Sequence, residues 1–345
     1  MTASDDAVDR VNAEADARTE VAVATAGITR EVIAFESANP RNYWQAITDP
    51  SGCPSVEITA QLYLPEGPRP LPIVAVVPGS LGIGPNHRAH ARTLLEAGLA
   101  ACILDPFGGR EVESTVADQT QYSFAASAFD VLALVATLAA RPEIDSQRIG
   151  ALGHSRGGTA VTLAACRLFA DPILGPHTGM AAVYAAYPWC GHQFAHPAIG
   201  ATRYRAIIGE LDEWCSVQQV QAQTHAMRLA GADATVAVVA GAHHSFDRLE
   251  RVHRIDDAAV AVTAPTVLID DQGRLVDPRT GVADPQTVDR DLFIAAYQGG
   301  HVTRGASIGG TDGQPELFRQ DMLDFFMPLA EPSWDSPRRH GHHDE

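Results

Sequence analysis

The chain has 345 residues, 46% of them hydrophobic and 19% charged, and carries a formal net charge of -17. A hydrophobic content of that size excludes a disordered chain. The acidic excess argues against nucleic-acid and anionic-membrane partners, which need clustered Lys and Arg. The five cysteines, Cys53, Cys102, Cys166, Cys190 and Cys215, are odd in number and lack paired spacing. Neither a disulfide framework nor a metal site is expected from them.

Residues 1–19 are polar and acidic and read as a flexible arm. No basic segment and apolar run open the chain, and no later stretch reaches the roughly 20 apolar residues of a membrane span. A cytoplasmic protein without a membrane partner is the expectation. Val32-Ile33-Ala34-Phe35 and Val56 to Leu64 have strand composition, the second with period-two alternation. Leu71 to Val77 is a continuous apolar run, as suits a parallel strand buried on both faces. It ends at Pro78-Gly79-Ser80-Leu81-Gly82, and the residues from His87 to Ala97 read as a helix. Leu99 to Leu104 is another buried strand, Tyr122 to Ala140 a helix, Arg148 to Leu152 a strand and Thr159 to Phe169 a helix.

The alternation continues with strands over Met180 to Tyr187 and Tyr204 to Ile208, a helix over Val217 to Ala230, and a strand over Ala234 to Ala240. Such alternation predicts an α/β fold, a mostly parallel central sheet with crossover helices on both faces. Residues 249–312 break the rhythm and read as an inserted segment; Leu317 to Phe326 closes the fold as a helix. Residues 20–330 are thus read as a single domain, and 331–345 as a disordered tail whose His340-Gly341-His342-His343 run is no cofactor site.

The chemistry starts at Gly153-His154-Ser155-Arg156-Gly157, which fits G-x-S-x-G with a strand before it and a helix after it. A sharp strand-to-helix turn exposes the serine, and side chains two residues to either side would clash. A hydroxyl is a poor nucleophile at neutral pH, so an imidazole must take its proton and a carboxylate must orient that imidazole. In the order Ser, acid, His, Asp212 follows a strand end, with Glu210 and Glu213 flanking it. His243 and His244 follow the next strand end. An oxyanion hole needs two backbone N–H groups. These are expected from Arg156 and from the loop after the third strand, at Ser80 with Leu81 next. Leu81, Phe107, Trp189 and Trp214 sit beside strand ends and are candidate substrate contacts. Arg110 and Arg156 are either anion binders or members of local ion pairs. Cys190 and Cys215 follow adjacent strands and are expected to be neighbouring free thiols. His154, His192 and His225 receive no role.

These motifs resemble the dienelactone hydrolase family of the α/β-hydrolases. The resembling segments are Val76 to Gly82, Asp105-Pro106-Phe107-Gly108-Gly109-Arg110, Gly153 to Gly158, Gly209-Glu210-Leu211-Asp212-Glu213-Trp214 and Gly241-Ala242-His243-His244-Ser245-Phe246-Asp247. The resemblance covers residues from about 60 to 250 and the closing helix. It implies the α/β-hydrolase fold, with Asp212 as acid, His244 as base and the Ser80 amide in the oxyanion hole. It also implies cleavage of a small carboxylic ester or lactone through an acyl-enzyme, without metal or organic cofactor. Two departures stand out: the lactone-cleaving namesakes carry cysteine where this chain has Ser155, and the 249–312 segment is longer than the family usual, long enough to shape a pocket or a homo-oligomer contact. The expectation is therefore a serine esterase with a Ser155-His244-Asp212 triad. A peptidase of the prolyl-oligopeptidase type and a non-catalytic binding protein on the same fold are the alternatives.

Overall fold

The computed structural model describes residues 27–331; the N-terminal arm expected at 1–19, the tail after Glu331 and its histidine run lie outside them. The chain enters as β1 (Thr29–Ala38), a short helix α1 (Tyr43–Thr48), β2 (Ser55–Leu64) and β3 (Leu71–Val77). Then follow α2 (Pro85–Glu96), β4 (Ala100–Asp105), α3 (Phe124–Ala139), β5 (Ile144–His154), α4 (Arg156–Ala165) and α5 (Arg167–Leu174). After β6 (Ala182–Ala186) and a short β7 (His192–Phe194) come β8 (Arg203–Gly209), α6 (Val217–Leu229) and β9 (Ala234–Val239). The later segment holds β10 (His253–Val260), β11 (Val267–Ile269), β12 (Leu275–Val276), β13 (Ala283–Asp284), α7 (Asp289–Gln298) and β14 (Thr303–Ile308) before α8 (Gln314–Ala330).

Eight strands form one sheet in the order β1-β2-β4-β3-β5-β6-β8-β9. The pairs β1/β2 and β2/β4 are antiparallel, and the five from β4/β3 to β8/β9 are parallel. This is the α/β-hydrolase fold. Every residue of β3 is buried, as its unbroken apolar run requires of a strand covered on both faces. No helix among the described residues is long and apolar enough to cross a membrane.

Two local features depart from the sequence reading. The helix expected over Thr159 to Phe169 is two helices, broken at Cys166, whose extended backbone (φ −68°, ψ 124°) ends α4. The 249–312 segment is built rather than irregular. Its β10 and β14 pair antiparallel, and β11 pairs in parallel with β7, which lies between two strands of the main sheet in sequence. Ile308 at the end of β14 also bridges His244. The segment is thereby fastened to the loops at the carboxyl ends of the strands, where a parallel sheet places its ligand sites.

A buried ion pair ties one such loop to a helix. The Arg110 guanidinium grips the Asp130 carboxylate of α3 with both Nη atoms, at 2.8 and 2.9 Å, and its Nε donates to Asn39. Both side chains are nearly inaccessible, and burial pushes the Asp130 carboxyl up despite the arginine. Of the two readings open for Arg110, the local ion pair is the one observed. Arg110→Met strands that carboxylate without its partner. It should destabilise the protein by about 3–5 kcal/mol in urea unfolding at neutral pH; a loss under about 1 kcal/mol would show the pair to be dispensable.

Candidate active site

The last residue of β5 leads straight into the first of α4, with Ser155 between them at φ 53°, ψ −116°. That conformation is strained for a residue with a side chain, at a cost on the order of 1–3 kcal/mol. The turn can close only because a Cβ is missing at two places. One on Gly153 would overlap the Gly157 carbonyl, and one on Gly157 would overlap the carbonyls of Val77 and Pro78. The Ser155 N–H donates to the Ala186 carbonyl at 2.9 Å, and the Thr159 N–H returns to the Ser155 carbonyl. Ser155 Oγ is left facing out of the sheet end.

His244 reaches it from the loop after β9. Its Nε2 lies 3.0 Å from Ser155 Oγ, and its Nδ1 lies 2.8 Å from Asp212 Oδ2. The other carboxylate oxygen, Oδ1, accepts the N–H groups of Trp214 and Cys215 at 2.8 and 2.9 Å. His244 is only 2% exposed and Asp212 9%. The Trp214 indole stacks on the imidazole with centroids 5.3 Å apart, and its Nε1 donates to the Ser307 carbonyl of β14. The ring of Tyr187 meets the imidazole edge-on at 4.7 Å. Of the residues weighed against these two, Glu210 bonds the Gly241 N–H and Glu213 the Ser307 N–H.

The cysteines correct the sequence reading. All five are free and buried. Cys215, read from sequence as a thiol outside the chemistry, has its Sγ within 4.8 Å of both an Asp212 carboxylate oxygen and a His244 ring nitrogen. A Cys-His-Asp cluster therefore shares the imidazole and the acid, and the expected description of a serine esterase with a self-contained Ser-His-Asp triad does not hold as read. The two neighbours of the imidazole differ in kind. The ring's hydrogen bonds run to Asp212 and Ser155. The thiol is held in its protonated form: burial first, then the charge of Asp212, pushes its pKa well above the ordinary value.

The remaining expected residues fall as follows. Ser80 and Arg156 line, with Ser155, a cavity of about 270 Å³. The Arg156 amide is the first of α4 and so has no partner within the helix. Its guanidinium is tied to Ser127 Oγ and to the carbonyls of Gln119 and Tyr122. Neither the anion-binding nor the ion-pair reading describes that side chain. Trp189 walls the same cavity, stacked on Phe124, and Trp214 walls both it and a smaller chamber of about 20 Å³. Leu81 lines the smaller chamber, together with His244 and Ser155. Phe107 is buried edge-on against Tyr122 and forms part of neither wall.

Sequence reasoning missed a set of buried polar residues around this site. Asp247 accepts hydrogen bonds from Tyr187 Oη (2.8 Å), His90 Nε2 (2.8 Å) and Asn86 Nδ2 (2.9 Å). Burial alone would raise its carboxyl; the bonds from His90 and Asn86 outweigh that and hold it below the usual range. His192 and Asp289, in the wall of the large cavity, are likewise buried.

The model of the dienelactone hydrolase family matches residues 58–266, more than half of the sequence. The chain belongs to this family. No curated protein matches it. Among solved structures, m3DLH is similar at 18% identity and a TM-score of 0.50, over 79% of this chain and 95% of that one. A putative dienelactone hydrolase from Klebsiella pneumoniae is similar at 20% identity and a TM-score of 0.45, over 63% of this chain and 89% of that one. Esterase Est22 is similar at 18% and 0.48, over 72% and 83%. At such identities the m3DLH likeness speaks for the fold. The α7 helix, which carries Asp289, lies beyond the segment that matches the family model.

Burial pushes the Asp289 carboxyl up to about 6 from its ordinary 3.8. A raised folded-state pKa contributes stability below about pH 4 that is lost as pH rises through 6. Asp289→Asn cannot titrate. Between about pH 4 and pH 7.5, unfolding free energy should therefore fall by up to about 3 kcal/mol more in the parent than in the variant. Parallel pH profiles from urea titrations would contradict this.

Proposed function

We propose that this protein hydrolyses a small carboxylic ester, lactones included, through a covalent acyl-enzyme. Membership of the dienelactone hydrolase family supports the reaction class. The residues we assign to it are Ser155, His244 and Asp212. The observation that carries the assignment is the continuous hydrogen-bonded chain from Ser155 Oγ through both imidazole nitrogens to Asp212.

The cycle follows from that geometry. Ser155 Oγ attacks the ester carbonyl carbon as His244 Nε2 takes its proton, and Asp212 stabilises the imidazolium. The backbone N–H groups of Ser80 and Arg156 receive the oxyanion. Collapse of the tetrahedral intermediate expels the alcohol, which leaves with the proton from Nε2. A water molecule then gives its proton to Nε2 and attacks the acyl carbon. A second collapse frees the acid and returns the proton to Oγ. Cys215 is assigned no bond-making step, because a thiol must lose its proton to attack and both imidazole nitrogens are engaged by Asp212 and Ser155.

The test is hydrolysis of short-chain p-nitrophenyl esters by the full chain and four variants. Ser155→Ala and His244→Ala should each lower kcat by about 10³-fold or more, and Asp212→Asn by about 10⁴-fold. Cys215→Ala should stay within about tenfold of the parent, a change of packing rather than of chemistry. Covalent capture of the acyl group on residue 215 in a mass-mapped digest, with Ser155→Ala still active, would transfer the nucleophile to the thiol.

A further inference from the structure

The two chambers that meet at Ser155 are unequal in size and chemistry. His244 lines the smaller one, of about 20 Å³. The smaller chamber has room for little more than a water molecule, so the chamber of about 270 Å³ takes the acyl part. Aromatic and aliphatic side chains dominate the larger wall, Phe124, Trp189, Trp214, Val260 and Leu292 among them. Asp289, at the start of α7 and only 6% exposed, is part of the same wall.

Half of that carboxyl is accounted for. Oδ2 accepts the Phe124 N–H at 2.7 Å, capping the first turn of α3. Oδ1 is buried and has no hydrogen-bond partner. The ring nitrogen nearest to supplying one, Nδ1 of His192, is 3.9 Å away and is engaged with Tyr43 Oη at 3.1 Å. An unpaired buried carboxyl oxygen is costly and calls for a donor. The cations of the same wall point to the opposite conclusion for acceptors. Arg156 is spent on Ser127 and backbone carbonyls, and Arg279 on Asp277.

We propose that Asp289 Oδ1 is a specificity-determining acceptor in the acyl chamber, so that the preferred substrate is an ester whose apolar acyl part carries a hydroxyl or an ammonium group. This rests on the ester-hydrolase reading above and narrows it to a substrate class. A carboxylate at the same place on the acyl chain meets a carboxyl with no free cation to offset it and is rejected. A plain alkyl chain fits the wall but leaves Oδ1 unpaired. Selectivity of this kind is strong because a site that hydrogen-bonds a substrate group penalises the analogue lacking it.

The experiment uses the full chain and p-nitrophenyl esters of one length: hexanoate, ω-hydroxyhexanoate, ω-aminohexanoate and the monoester of adipate. In parallel, titration calorimetry with hexanamide, ω-hydroxyhexanamide and ω-aminohexanamide reads binding without turnover. The parent should favour at least one donor-bearing ester over hexanoate by about tenfold or more in kcat/KM, and the matching amide should bind more tightly than hexanamide by a similar factor. Which of the two leads decides between hydroxyl and ammonium. Asp289→Asn keeps an oxygen for the Phe124 N–H but puts an amide N–H in place of Oδ1. In that variant the donor preference should vanish or invert, and the adipate monoester should gain on hexanoate. Hexanoate cleaved as well as the donor-bearing esters, with no difference among the amides, overturns the inference and leaves the hydrolase reading intact. Failure of every ester to turn over, with the amide preference present and lost in Asp289→Asn, sinks the hydrolase reading and leaves the acceptor site standing.

Discussion

The site depends on one backbone constraint, the turn that carries β5 into α4 within a single residue. Ser155 sits at positive φ because its N–H is committed to the Ala186 carbonyl of the neighbouring strand and its carbonyl to the Thr159 N–H of the helix. Two missing Cβ atoms, at Gly153 and Gly157, make room for that path between neighbouring backbones. A relaxed turn would swing Oγ away from the point where loops after β8 and β9 deliver Asp212 and His244. The strain is held by strand and helix together, and the rigidity of both sets the position of the oxygen.

The imidazole is fixed as firmly as the hydroxyl. Trp214 covers one side of the imidazole and is anchored through its indole N–H to Ser307. Tyr187 packs its ring edge against the imidazole and is anchored through its hydroxyl to Asp247, which His90 and Asn86 also hold. The first anchor belongs to the 249–312 segment and the second to the loop after His244 and helix α2. The orientation of one ring thus draws on parts of the chain more than two hundred residues apart. The segment that interrupts the α/β rhythm serves the site, since β14 holds Trp214 in place and α7 walls the larger chamber beside Ser155.

What could be read from the sequence follows from how local each signal is. The unbroken apolar run of β3, the glycines flanking Ser155, and an acid and a histidine just past successive strands are short-range patterns, and they mark the sheet and the hydrogen-bonded chain at its edge. The break at Cys166 was hidden because Thr159 to Phe169 keeps a helical apolar spacing across it. Residues 249–312 gave no period because their strands are two to eight residues long and pair with distant partners, β11 with β7 for example. Nothing local gave His192, Asp247 or Asp289 a role. Their partners lie far along the chain, and only the folded contacts distinguish them from ordinary polar residues. Phe107, chosen for its place after a strand, shows the converse: position at a strand end does not fix which way a ring turns.

The thiol near the imidazole follows from the same geometry that orients the ring. Asp212 Oδ1 gathers the N–H groups of residues 214 and 215, a tight turn that fixes the carboxylate so that Oδ2 points at Nδ1. Wrapping the chain around the acid in this way brings the side chain of residue 215 against the acid and the imidazole, whatever that side chain is. A small, weakly polar group suits the place, since a larger one would crowd the imidazole and a charged one would compete for Asp212. Burial and the neighbouring carboxylate both oppose the thiolate. An imidazole whose Nδ1 is committed to its acid can accept a proton only at Nε2, and the atom stationed there at 3.0 Å is the hydroxyl of Ser155.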